Sequence, residues 1–308
     1  MLYNKIILAG GAGSLGTTLA NYYRDKASEI IILSRKPKAA DGNIRTVVWD
    51  ARTIGTWAQE LDGADLLINL CGKNVNCRYT EKNKAEIFSS RLNPTRLLGE
   101  VVGNLANPPA LWINAASATI YRHAEDRPQN ETTGDIGYGF SIEVCKQWEK
   151  TFFEQDTPNT RKVALRIGIV LSHDGGAFPV LRNLVKFGMG GKQGDGSQYV
   201  SWIHEQDVAA ITEWVYQHKE LTGAINATAP NAIKNTDLMR IIRKAYGIPF
   251  GLPAPKWLLE IGAAIIGTET ELILKSRWVK PQLLLDSSYP FQYTEAAQAV
   301  HDLLSVKP

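Results

Sequence analysis

Lys5-Ile-Ile-Leu-Ala-Gly-Gly-Ala-Gly-Ser-Leu-Gly16 is the stretch on which the fold turns. Lys5–Ala9 is a short apolar run, rich in β-branched residues and stopped by glycine, the pattern of a parallel strand buried on both faces. Beyond it Leu15, Leu19, Tyr22 and Tyr23 recur at three- and four-residue steps, which predicts a helix. Between strand and helix, Gly10, Gly13 and Gly16 stand in a Gly-x-x-Gly-x-x-Gly spacing. One glycine of such a turn permits the tight bend, another lets the backbone approach a pyrophosphate, and the third lets helix and strand pack closely. The helix start at Ser14 and Leu15 then offers N–H groups and the positive end of its dipole to phosphate. A purely structural turn uses the same residue types, but this placement within a βαβ pattern points to dinucleotide binding.

Working outward, Glu29–Leu33, Arg45–Trp49, Asp65–Leu70, Leu111–Ala115 and Arg161–Ile167 read as further strands. Helical stretches over Glu81–Asn104 and Ile142–Phe153 lie among them. Such alternation predicts an α/β protein with a doubly wound parallel sheet. We expect a nucleotide-binding domain over residues 1–240, with substrate-side insertions at 171–200, and a smaller C-terminal domain over 247–308. The second glycine loop, Gly188–Gly196, is either an anion cradle or a mobile lid. The tail closes with a helix around Thr294–Leu304.

The end of the second strand selects the cofactor. An NAD site places a carboxylate there for the ribose 2′-hydroxyl, whereas this chain has Leu33-Ser-Arg-Lys36. Ser34 is a hydrogen-bond donor for a phosphate oxygen, and Arg35 a planar, permanently charged fork for a 2′-phosphate. The expected cofactor is NADP(H); the alternative is a solvated basic turn. Asn69-Leu-Cys-Gly72 ends the fourth strand at the sheet's carboxyl edge, where small residues let a ligand pass close to the backbone. Asp50 either approaches the adenine or caps the following segment.

Composition narrows the alternatives. A length of 308 residues suggests about two domains, and 44% hydrophobic with 21% charged residues is ordinary for a globular chain. The net charge of +3 comes without a basic block, so no nucleic-acid partner is expected. Three cysteines and five scattered histidines offer neither a disulfide framework nor zinc spacing, and no metal is expected. The apolar stretch Trp257–Gly267 is broken by Glu260 and too short to span a membrane. No signal-peptide pattern precedes the first strand, so the expected location is cytoplasmic. The sequence leaves the oligomeric state open.

These residues together resemble an atypical, epimerase-like branch of the extended short-chain dehydrogenases/reductases, the predicted nucleoside-diphosphate-sugar epimerases. The resemblance spans nearly the whole chain. It is carried by the glycine loop, Ser34-Arg35, Trp49-Asp50, Asn69–Gly72, Ser90-Arg91, Trp148-Glu149 and Leu165–Leu171. Gly175-Gly176, Gly188–Gly191, Ser201–His204, Asn226–Pro230 and Lys280-Pro281 continue it. It implies an NADP-binding Rossmann core with a small C-terminal lobe, and cofactor contacts at Ser34, Arg35, Leu70, Cys71, Glu86, Arg91 and Val170. From the residues alone, Glu86 and Arg91 are only a helical pair near the ligand edge, with a surface ion pair as the plain alternative.

The chemistry departs from the superfamily pattern. Ordinary members pair a serine with Tyr-x-x-x-Lys, the lysine lowering the phenol's pKa so that it shuttles a proton near neutrality. Here Ser117 occupies the serine position in Ala116-Ser-Ala-Thr-Ile-Tyr121, but the following Tyr138–Lys146 stretch lacks a tyrosine four residues before a lysine. The catalytic candidates are therefore Ser117 and, as a replacement phenol, Tyr121, whose alternative role is packing. Lys146 either points toward the nicotinamide ribose or is a solvated helix lysine. His204 reads as a structural imidazole, Asp207 as a helix cap, and Cys77 and Cys145 as inert thiols. The expected activity is oxidoreductase or epimerase-type chemistry on a small carbonyl or nucleotide-sugar-like substrate. The alternative is a non-catalytic NADPH-binding sensor or regulator.

Overall fold

A computed structural model describes residues 2–260 and 269–305. Seven parallel strands form its main sheet: β1 (Tyr3–Ala9), β2 (Ala27–Ser34), β3 (Ile44–Val48), β4 (Leu66–Asn69), β5 (Leu111–Ser117), β6 (Arg161–Ile167) and β10 (Gly223–Ala227). Their spatial order is β10-β6-β5-β4-β1-β2-β3. The order reverses between β1 and β4, the position where open sheets of this kind bind ligands outside their carboxyl ends.

The first strand shows why the apolar run cannot be amphipathic. Ile6 and Leu8 pack on one side with Leu19 and Tyr23 of helix α1 (Ser14–Tyr23) and with Ile211 and Val215 of α5 (Glu205–Gln217). Ile7 and Ala9 pack on the other, with Leu97, Leu98 and Val101 of α2 (Glu81–Gly103) and Phe152 of α3 (Phe140–Phe153). Period-two alternation thus feeds both helical layers from one continuous hydrophobic stretch.

A smaller lobe has its own core. Phe178 and Val185 of α4 (Phe178–Lys186), Leu238, Met239 and Ile242 of α6 (Asn235–Ala245), and Ala299, Val300 and Leu303 of the last helix (Ala296–Ser305) form one cluster. Trp202 on the short strand β9 (Trp202–His204) joins it. This core draws on chain from before and after residue 240. The stretch Trp257–Gly267 lies partly outside the described residues, and no described helix is long and apolar enough to cross a membrane.

Several differences from the sequence expectations have physical causes. The seventh strand, β10, contributes only five residues, Gly223-Ala-Ile-Asn-Ala227, too short and too poor in β-branched residues to read as a strand alone; pairing with β6 makes it one. Asp207 does not cap α5. His204 does, its Nδ1 accepting from the Gln206 N–H at 3.2 Å. Asp207, fully buried, instead accepts from the Tyr289 hydroxyl and from the N–H groups of Gln292 and Tyr293, clamping the C-terminal tail to α5. The imidazole of His204 stacks on Tyr293, with Nε2 3.3 Å from an Asp302 carboxylate oxygen, as a structural group would. The Gly188–Gly196 loop is held by backbone hydrogen bonds to residues 252–254, which argues against a free lid.

Glu149 of α3 and Arg166 of β6 form a buried bidentate pair at 2.8 and 2.7 Å. Removing one member of such a pair strands a buried charge. Arg166→Leu is expected to cost about 3–5 kcal/mol in urea unfolding, with Arg166→Leu/Glu149→Leu recovering part of the loss. A single variant within about 0.5 kcal/mol of wild type would contradict the assignment.

Candidate functional site

The glycine loop is fixed by close approaches that only hydrogen atoms allow. A Cβ on Gly16 would lie 2.1 Å from the Gly11 carbonyl oxygen, so α1 leaves the loop with no room for a side chain. Gly10 adopts φ +72°, and a Cβ there would meet Cys71 Sγ at 2.8 Å, which brings the β1 and β4 loops into contact. A Cβ on Gly13 would meet no protein atom within 4 Å. Gly13 is also the N-cap of α1, which has no side-chain cap and no acidic residue in its first turn. The helix thus opens without a side-chain cap, the arrangement in which its first N–H groups can serve an anion.

One strand over, Ser34 is buried and accepts the Lys36 N–H at 3.3 Å, turning the chain so that Arg35 stays exposed. Arg35 borders a pocket of about 570 Å³ with Val48, Trp49, Asp50, Arg52, Thr53 and Trp57. Asp50 caps the segment that follows it. Its carboxylate accepts from the Arg52 and Thr53 N–H groups and the Thr53 hydroxyl, and that turn forms one wall of the pocket. These hydrogen bonds hold its carboxyl below the usual range.

The β4 end is built on buried amides. Asn69 donates to Asn114 Oδ1 at 2.7 Å and to Thr95, and accepts the Cys71 N–H at 3.1 Å, which sets the path of Leu70-Cys71-Gly72. Burial pushes the Cys71 thiol up to about 12, with the charge of Arg35 pulling the other way. Arg91 lies against Gly72, where a Cβ would sit 3.1 Å from its Cζ, and stacks over Trp148. Glu86 is not paired with Arg91; it binds the Lys73 ammonium instead. Val170, on β7 (Ile169–Leu171), precedes a loop that crosses back over α1: Ser172 Oγ lies 3.2 Å from Ser14 Oγ. Glu205 ties this loop down, accepting from Ser172, Thr18 and the His173 N–H. Neither Ser172 nor Glu205 stood out in the sequence, because their partners lie far away along the chain.

The catalytic candidates separate. Ser117 ends β5, its hydroxyl accepting the Thr119 N–H at 3.2 Å. The Tyr121 hydroxyl is saturated: it accepts from Arg166 at 2.8 Å and donates to Asn226 at 3.0 Å, and burial raises its pKa. Lys146 is half-exposed and bound to Glu143 one turn earlier. Two cations absent from the sequence candidates lie at the β5 end. Lys275 Nζ donates to the Thr119 carbonyl at 2.8 Å, and Arg277 Nε to the Thr119 hydroxyl at 3.2 Å. Thr119 stood in the quoted Ala116–Tyr121 motif, but nothing in the sequence linked it to residues more than 150 positions away. Cys145 is buried and its thiol is pushed up to about 11, as an inert thiol would be; Cys77 is only partly buried. Among the described residues no cluster of metal-ligating side chains occurs.

Comparison with known proteins bears on this geometry. Residues 6–146 match the NAD dependent epimerase/dehydratase family, and residues 254–303 match a domain of unknown function, DUF1731. The chain is 29% identical over 301 residues to the epimerase family protein YfhF of Bacillus subtilis, covering 98% of each. Among solved structures it is similar to the human epimerase family protein SDR39U1 (isoform 2) with NADPH, with TM-score 0.86, 25% identity, and 97% and 98% of the two chains covered. A nucleoside-diphosphate sugar epimerase from Corynebacterium glutamicum gives TM-score 0.77 and 29% identity over 97% of this chain and 58% of that one. With the glycine loop and the sheet order already described, residues 6–146 carry an NAD dependent epimerase/dehydratase domain, and over nearly its whole length the chain is similar to epimerase family proteins of the extended short-chain dehydrogenase/reductase type.

Proposed function

We propose that this protein binds NADP(H) across the β1/β4 switch and acts as an oxidoreductase or epimerase-type enzyme on a small carbonyl or nucleotide-sugar-like substrate. The observation that carries the cofactor is the uncapped start of α1 beside Gly13, with Arg35 at the mouth of the neighbouring pocket. The N–H groups of Ser14 and Leu15 would hold the pyrophosphate, and Arg35 with Ser34 the 2′-phosphate. Leu70, Cys71 and Gly72 would let the second half of the dinucleotide run close over β4 toward Ser117, with Arg91 and Val170 flanking it. When bound, the nicotinamide supplies or accepts hydride. The presence of NADPH in the human relative's crystal structure agrees with this reading.

Within the chain, Ser117 is the hydroxyl at the β5 end available to orient a substrate oxygen. Tyr121 is unsuited to proton transfer, since both its donor and its acceptor capacity are spent on buried partners. That observation favours a second reading: an NADPH-binding sensor that has lost the acid/base phenol. Following NADPH absorbance with aldehydes, ketones and nucleotide sugars separates the two. Turnover supports the enzyme, while tight binding without turnover supports the sensor.

Arg35→Ala should weaken NADPH at least about tenfold in a fluorescence titration, as loss of charge-assisted hydrogen bonds dictates, while leaving NADH affinity nearly unchanged. Preference of the wild type for NADH would contradict the site. The glycines make a paired test. Gly13→Ala should shift unfolding free energy by less than about 1 kcal/mol, since its Cβ meets no protein atom, yet abolish the NADPH-dependent rise in Tm. Gly16→Ala should destabilise the free protein by about 1–3 kcal/mol through overpacking against Gly11.

A further inference from the structure

Among the described residues twelve large apolar side chains are exposed, and six of them stand in two segments that fold against each other. These are Val180, Phe187 and Met189 in the first segment, and Phe250, Leu252 and Trp257 in the second. Phe187 and Phe250 are 82% and 85% exposed. The Leu252 N–H donates to the Gly188 carbonyl at 2.8 Å, the Gly191 N–H to the Leu252 carbonyl at 3.1 Å, and the Ala254 N–H to the Lys192 carbonyl at 2.9 Å. This ladder fixes the Phe250–Leu252 turn beside the end of α4. On α4, Val180, Leu184 and Phe187 recur at helical steps, on the side away from Phe178 and Val185, which enter the small lobe's core. A concentration of exposed apolar groups on this scale marks a surface that is covered in use.

The charge around the patch decides what covers it. Residues 178–196 and 235–260 carry seven lysines and arginines against three carboxylates, an excess of four in a chain whose total is only +3. These cations are dispersed in sequence, so no basic block announces them, and the packing of α6 on α4 gathers them. Arg243 donates through Nη1 to the Gly190 carbonyl, and the Lys186 ammonium stands 5.3 Å over the Tyr246 ring. Asp237 pairs with Arg240, Glu260 faces Lys256 at 3.9 Å, and Asp195 accepts from Ser197. Lys186 and Lys244 are exposed, with no carboxylate within 4 Å among the described residues. A second copy of the chain would bring these cations against their own kind. A nucleic acid would leave Val180, Leu184 and Leu252 without apolar partners. Exposed Phe and Trp rimmed by Lys and Arg fit a membrane surface, where rings enter the headgroup boundary and ammonium groups meet acidic lipids.

We propose that the end of α4 and the Phe250–Leu252 turn form a peripheral docking site for an anionic lipid bilayer. Phe187 and Phe250 are the inserted side chains, and Lys186 and Lys244 the contacts to acidic headgroups. The protein adsorbs to the surface without spanning it. The face shares no residue with the glycine loop or the Arg35 pocket, so the proposal is independent of the cofactor reading.

Co-sedimentation of the intact protein with vesicles tests this, using pure phosphatidylcholine and phosphatidylcholine with about 30% phosphatidylglycerol. The acidic vesicles should bind at least about tenfold tighter, and added salt should weaken them. Phe187→Ser/Phe250→Ser should lose binding by at least about tenfold through the missing apolar insertion. Lys186→Glu/Lys244→Glu should lose as much through charge, and serves alone if the first variant fails to fold. Both pairs are exposed, so Tm should stay at its wild-type value. The docking site is overturned if neither vesicle binds, if both bind equally, or if either folded variant binds as well as wild type. It is also overturned if vesicles fail while a single-stranded oligonucleotide binds, or while the wild type dimerises through this face and Phe187→Ser/Phe250→Ser is monomeric.

Discussion

The whole site depends on how closely α1 follows β1. With a Gly16 Cβ position only 2.1 Å from the Gly11 carbonyl oxygen, no other residue lets the helix start this near the strand. That proximity aims the first N–H groups of α1 over the sheet edge and allows the β4 loop at Cys71 to close beside Gly10. If the helix moved out by even the width of a methyl group, the amides would no longer converge on one anion, and the crevice at the β1/β4 switch would widen. The hydrophobic layers on both faces of β1 supply the force that holds it in.

The parts of the molecule legible in sequence are those determined by local pattern. Runs such as Lys5–Ala9 and Arg161–Ile167 announce buried strands through continuous apolar character, and the glycine spacing with Arg35 points to a cofactor through positions counted from a single turn. The parts that stayed hidden are fixed by long-range pairing. Strand β10 exists because β6 offers it a ladder. Asp207 looked like a helix cap because it stands in the first turn of α5, and only the returning tail supplies the donors that claim it. Glu205 and Ser172 belong to the crevice because the loop after β7 folds back over α1, and no spacing in the chain records that fold-back.

The same distinction explains the chemistry. The missing Tyr-x-x-x-Lys was readable as an absence, but its consequence was not. Tyr121 sits in the right motif, yet it serves the buried Glu149–Arg166 pair, and Lys146 turns to Glu143. Positive charge reaches the β5 end from the C-terminal region instead, through Lys275 and Arg277. Residues of the C-terminal region thus reach the end of β5. The fold is that of an NAD(P)-binding epimerase-like protein, with polar groups at the β5 end drawn from a distant part of the chain.

The most direct measurement is a crystal structure of the protein with NADPH. The account requires pyrophosphate oxygens within hydrogen-bond distance of the Ser14 and Leu15 N–H groups, and the 2′-phosphate against the Arg35 guanidinium. A dinucleotide bound elsewhere, or a crevice closed by the protein's own side chains with NADPH present, would contradict it.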